Sequence, residues 1–168
     1  MRLLYLLSVW IHILSACVWI GGMAFLILVV VPWLRRGNAA EAGGMLRDTG
    51  KRFSNVGWIC FGLLLLTGSF NLWVRGVRFS DFGRTEWLSS PFGKTVVMKL
   101  CAFAVVLLLS AVHDFSTGPR ATEAIQRDPN SEEARSLRRM ASRFGRLNAL
   151  FALLLVALGV MLVRGTPW

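Results

Sequence analysis

At 168 residues, 55% of them hydrophobic and with a mean hydropathy of +0.56, the chain is too apolar for a soluble domain of its size. Runs of about 18 or more apolar residues read as membrane spans. Four such runs use up the length and leave no room for a soluble catalytic domain. A net charge of +10 points to nucleic acid in a soluble protein. In a chain of spans it points instead to loops that orient the bundle and meet anionic lipid, so no nucleic-acid partner is expected.

The expected fold is all-α: one integral membrane domain over residues 1–168, an up-down-up-down four-helix bundle with spans at about 3–34, 53–74, 95–115 and 147–164. The first span is broken only by Ser8, His12 and Ser15. At about 1.5 Å per residue it would measure about 48 Å against a hydrocarbon core of about 30 Å, so it tilts or projects at one end. Leu14-Ser15-Ala16-Cys17 resembles a lipoprotein signal, but the apolar run continues through Val31, which favours a retained span. Pro32 fits a kink or a stop.

Loop one, residues 35–52, contains Gly37, Gly43, Gly44 and Gly50, so no long rigid helix is expected there. Loop two, residues 75–94, is flanked by Trp73 and contains Trp87, which would anchor at the membrane interface. In loop three, Asn130-Ser131-Glu132-Glu133 is a cap followed by two acids. The basic run Arg135 to Arg146 is then an extension of the fourth span. Loops one and three carry twelve lysines and arginines; the termini and loop two carry six. That asymmetry places loops one and three in the cytoplasm and both termini outside, in a bacterial inner membrane.

Ionisable residues at membrane depth are costly and mark candidate sites. Three occur here: His12, Lys99 and His113. Lys99, Phe103, Val106, Ser110 and His113 recur at helical spacing, so they share a face directed into the bundle. Lys99 and His113 are nevertheless about 21 Å apart along the axis. His12 shares a face with Ser8, Ser15 and Trp19; Gly21 and Gly22 follow it and allow close helix approach. In this topology His12, Lys99, Thr67 and Asn71 fall in the outer half, and His113 in the inner half near Asn148. His12 and His113 would lie about 15–20 Å apart along the membrane normal, which disfavours one haem ligated by both.

Each has a plainer reading: a packed histidine bonded to Ser8 or a carbonyl, a snorkelling lysine, an interfacial histidine beside Asp114. Met23, Met98 and Met161 are either thioether copper ligands or apolar filling. Cys17, Cys60 and Cys101 lie within spans without CxxC spacing and read as packing residues. No carboxylate lies deep in a span, which weighs against an acidic proton relay and a hard-cation site. No catalytic residue is assigned.

Ile11-His12-Ile13-Leu14 followed by Val18-Trp19-Ile20-Gly21-Gly22 resembles the first span of the copper resistance protein D (CopD) domain. Gly93-Lys94, Met98-Lys99-Leu100 and the apolar run to His113 and Pro119-Arg120 are similar to that family's lysine-started helix with a polar residue fourteen positions on; the family often has asparagine where His113 stands. Phe144-Gly145-Arg146-Leu147 leads into a matching fourth span. A related group, the HemJ-type protoporphyrinogen oxidases, is also a four-span bundle with a histidine in the first span and a lysine in the third, and binds haem b. The resemblance therefore implies a copper or haem bundle. Under copper, His12 is a ligand, with Met23, Cys17, His113 or a backbone group as partners. Under haem b, in electron transfer or porphyrinogen oxidation, His12 is the axial ligand, Lys99 pairs with a propionate or supplies a second ligand, and Arg75, Arg78 and Arg84 of loop two bind propionates or, in the plainer reading, lipid headgroups. A third reading is a cofactor-free accessory subunit that docks on a membrane partner or on a second copy of itself.

Overall fold

The computed structural model describes residues 1–34, 39–128 and 130–166. Among these residues there is no strand. The elements are α1 (Arg2–Phe25), a π-helical turn (Leu26–Val30), α2 (Val31–Leu34), α3 (Ala39–Val74), a 3-10 turn (Phe79–Gly83), α4 (Thr85–Ser89), α5 (Pro91–Val112), a second π-helical turn (His113–Thr117), α6 (Gly118–Arg127) and α7 (Glu132–Arg164). Four helical stretches, Arg2–Trp33, Asp48–Val74, Pro91–Arg127 and Glu132–Arg164, are long and apolar enough to cross a membrane.

The helix ends follow their local chemistry. Ser90 caps α5 by accepting from the Gly93 amide at 3.0 Å, with Pro91 opening the first turn. Ser131 caps α7 through the Ala134 amide at 3.1 Å. The predicted helix start therefore holds, and α7 runs unbroken from the basic segment into the fourth span. Gly76, at φ +87°, closes α3: its amide bonds to the Trp73 carbonyl, and the Val77 amide bonds to that of Leu72. A side chain would strain that left-handed turn.

Pro32 does not stop the first span. It lacks an amide hydrogen for the Leu28 carbonyl, and its ring crowds that carbonyl. The helix widens over Leu26–Val30 and continues. Pro119 stands in the same relation to the widened turn His113–Thr117, so α5 passes into α6 without a break. Loop one also departs from expectation, since α3 begins at Ala39. Glycine costs a helix about 1 kcal/mol, and Ala39, Ala40, Ala42, Met45 and Leu46 are strong helix formers that offset Gly43, Gly44 and Gly50. Arg35, Arg36 and Gly37 lie outside the described residues.

Helix directions alternate. His12 meets Thr67, while Gly22 meets Phe53. Asp114 of the second π turn meets Ser54, while Phe103 meets Phe61. Ser110 meets Asn148, while Lys99 meets Gly159. Each pairing runs antiparallel, so the four long helices go up, down, up and down. α1 packs chiefly on α3, and α5 on α7. One apolar core joins all four: Trp19, Met23, Cys60, Phe61, Leu64, Val106 and Ala152. Its middle is aromatic, with Trp19 and Phe103 set edge-on to Phe61 at 5.0 and 6.1 Å between ring centres. Large apolar side chains such as Leu66, Leu108, Leu150 and Leu153 face outward, as a hydrocarbon solvent requires.

Candidate functional site

Two polar layers sit above and below this aromatic middle. The first lies towards the chain termini and draws on all four spans. His12 of α1 is half-buried against α3, where its Nδ1 lies 2.8 Å from the Thr67 hydroxyl. Thr67 gives its own hydroxyl proton to the Leu63 carbonyl at 2.5 Å. Thr67 therefore accepts from His12, and the imidazole carries its proton on Nδ1. The Leu64 backbone carbonyl is a further hydrogen-bond acceptor for the same ring. An imidazole oriented through one nitrogen can offer the other to a metal. Gly68 makes room for it: a Cβ there would stand 3.3 Å from His12 Cε1. Ser8 donates to the Thr67 carbonyl at 3.4 Å and completes the seam.

Lys99 of α5 reaches α7 in the same layer. Its Nζ is 3.3 Å from where a Cβ on Gly159 would stand, so the absent side chain leaves the ammonium its place. Arg75, at the end of α3, donates from Nη1 to the Leu162 carbonyl at 3.1 Å and from Nε to the Tyr5 hydroxyl at 3.4 Å. Lys99 is within coulombic reach of His12, and Arg75 of Lys99. Asn71 precedes Arg75 by one turn; its Oδ1 is buried without a hydrogen-bond partner among the described residues.

The second layer lies at the other end. Asp114 Oδ2 accepts from the Ser54 hydroxyl at 2.5 Å and the Trp58 indole nitrogen at 3.2 Å, and Oδ1 pairs with His113 Nδ1 at 3.0 Å. This carboxylate ties the second π turn to α3. Ser110 and Asn148 bond across α5 and α7 at 2.9 Å.

The predicted site residues do not converge. Thr67 and Ser54, the α3 partners of the two layers, are 13 positions apart, about 20 Å at 1.5 Å per residue. His12 and His113 are thus in separate layers, as their estimated depths implied. Met23 is buried in the apolar core, eleven positions along α1 from His12, or about 16 Å. Lys99 does join His12. Among the described residues, no three His, Cys, Asp or Glu side chains gather to hold a metal ion. The sequence reading passed over Gly68, Gly159 and the Asp114 hub; it had Arg75 as a propionate or lipid-headgroup partner, without its contacts to Tyr5 and Leu162. Small residues within apolar spans were the available signal for the first two.

Fold and surface together define an integral membrane protein: a four-span helical bundle with a polar layer towards each end. The chain belongs to the copper resistance protein D (CopD) family, whose model matches residues 47–162. That stretch contains Thr67, Arg75, Lys99 and His113; His12 precedes it. The chain is 32% identical over 160 residues to an uncharacterized protein of Aquifex aeolicus (strain VF5), covering 95% of each. It is 27% identical over 123 residues to the copper transport protein CutJ of Bacillus subtilis (strain 168), covering 73% of this chain and 21% of CutJ. It thus spans about a fifth of CutJ's length. No solved structure matches it.

Proposed function

We propose that this protein handles copper in a bacterial inner membrane, with His12 as the ligand that receives the ion in the termini-side layer. The observation that carries the reading is the Thr67–His12 hydrogen bond, which orients the imidazole through Nδ1. Family membership and the resemblance to CutJ supply the metal. In this reading the termini-side layer is extracytoplasmic, because loops one and three hold most of the cationic residues. The exposed arginines of α7, from Arg135 to Arg146, meet anionic headgroups on the cytoplasmic side. The aromatic middle separates the two layers, so binding and storage fit this structure better than an open channel.

The test is a Cu(I) titration of purified protein against a competing chelator, together with growth of cells on copper. Wild type should bind one copper, and His12→Ala should lose it and change copper tolerance. Unchanged copper binding and tolerance in His12→Ala would remove the site. A second reading is haem b on His12, in electron transfer or porphyrinogen oxidation. It is favoured by the cations beside His12, which suit an acidic cofactor better than a bare metal cation. His113 is too distant to supply the second axial ligand. A reduced-minus-oxidised spectrum without an α band on protein purified under haem-sufficient conditions would exclude it.

A further inference from the structure

Lys99 and Arg75 approach the bundle from different helices and converge on one turn of α7. Lys99 nests at Gly159, and Arg75 bonds the carbonyl of Leu162 three residues on. Neither has a carboxylate partner among the described residues. The nearest acids in sequence are committed elsewhere: Asp81 receives the Arg78 amide and pairs with Arg84, and Glu86 also pairs with Arg84. No Asp or Glu lies in any span on this side of the core. Two adjacent cations at the edge of a low-dielectric bundle repel one another, and each is costly unless an anion joins them. Tyr5 and the Leu162 carbonyl use two of the donors of Arg75, which leaves Nη2 and the Lys99 ammonium to face a ligand. The site also borders the surface, since Arg75 is exposed and Lys99 only partly covered.

We infer that Lys99 and Arg75, gathered over the Gly159–Leu162 turn, form a binding site for a carboxylate group. An ammionium and a guanidinium edge together match a carboxylate's two oxygens with charge-assisted hydrogen bonds. The carboxylate has two possible sources, a small carboxylate ligand, free or travelling with a metal ion, or the propionate of a porphyrin. The site stands on the two cations alone and requires neither copper nor haem on His12.

The experiment uses full-length protein in nanodiscs and two probes. Sodium propionate is followed by saturation-transfer NMR. Wild type should show transfer, Lys99→Met and Arg75→Gln should bind about tenfold or more weakly, and Lys99→Arg should retain binding because it keeps the charge. Each variant's thermal midpoint is measured alongside, so that misfolding is separated from loss of the site. No transfer to folded wild type, or equal transfer to folded Lys99→Met, overturns the proposal. The second probe compares haemin with haemin dimethyl ester. Haemin binding about tenfold more tightly than its ester, with the difference lost in Lys99→Met, supports the site and identifies a porphyrin propionate. Propionate binding with no affinity for either haemin supports it and identifies a small carboxylate. Equal, measurable binding of haemin and its ester without propionate transfer overturns it. If copper titration fails in wild type while propionate binds, the copper reading falls and the carboxylate site remains.

Discussion

Thr67→Val tests the seam on which the histidine assignment rests. Valine keeps the shape of threonine and removes the hydroxyl that accepts from His12 Nδ1 and donates to Leu63. Interhelical hydrogen bonds between spans contribute on average about 0.6 kcal/mol and at most about 1.7. Leaving one partner unsatisfied in a buried setting costs about 1–3 kcal/mol. His12 is half-buried and keeps some access to other partners, so we expect Thr67→Val to destabilise the bundle by about 1–2 kcal/mol. The loss is read as a lower midpoint of unfolding in mixed micelles. Thr67→Ser should recover most of it, and the double variant His12→Leu/Thr67→Val should be more stable than the sum of the singles, because neither partner is then stranded. If His12 receives copper, loss of the group that orients it should weaken Cu(I) binding about 10–100-fold. A Thr67→Val protein that unfolds at the wild-type midpoint and binds copper with wild-type affinity would refute the hydrogen-bond argument and its consequence for the orientation of His12. The stability arm does so even if no metal binds.

Gly22→Ala and Gly21→Ala should differ in sign. A Cβ on Gly22 would stand 2.5 Å from Phe53 Cε2, whereas Gly21 has nothing within 4 Å. Overpacking costs about 1–3 kcal/mol and removing a helical glycine returns at most about 1 kcal/mol, so Gly22→Ala lowers the unfolding midpoint and Gly21→Ala leaves or raises it. Asp114→Asn leaves one acceptor oxygen for three donors and should cost about 1–3 kcal/mol by the same assay, without altering the His12 layer. Single cysteines at Arg127 and Arg84, in a chain whose three native cysteines are replaced, report sidedness. An impermeant maleimide on intact cells should label the second and spare the first; the reverse pattern inverts the proposed topology.

The spans were legible because hydrocarbon selects for apolar runs, and the basic segment of α7 because Ser131-Glu132-Glu133 announces a helix start. The passage through Pro32 was not legible from the proline itself. A helix can answer a missing amide by stopping, kinking or widening, and the choice depends on what packs around the turn. The start of α3 at Ala39 was obscured for a related reason: glycines argue against a helix one at a time, while the alanines between them act together. The polar residues could be assigned to halves of the bundle by counting along each helix, which placed Lys99 with His12 and His113 apart from both. Contact partners could not be read this way. That His12 meets Thr67 and not Asn71 depends on how α1 and α3 slide against each other, and close contacts at Gly22–Phe53 and Trp19–Phe61 set that register. Met23 and His12 look alike as candidate ligands in sequence, yet eleven residues of helix carry Met23 into the apolar core.

The charge balance of the two layers differs, and the difference bears on what each can hold. At the Asp114 end a carboxylate is already saturated by a hydroxyl, an indole and an imidazole, which makes it a hydrogen-bonded clamp across the second π turn and α3. At the termini end the balance is open, with two cations that have no acid partner among the described residues; a buried amide oxygen without a partner among those residues occurs in both layers, on Asn148 at the Asp114 end and on Asn71 at the termini end. A bare copper ion entering that layer would add a third positive charge, against repulsion that a low-dielectric surrounding strengthens. A metal that arrives in a ligand bearing a carboxylate meets the opposite situation, with His12 facing the metal and the two cations facing the acid. Copper in a carboxylate complex and iron in a porphyrin are both ligands of that kind, so under either proposed reading the two cations would take up the acid that accompanies the metal.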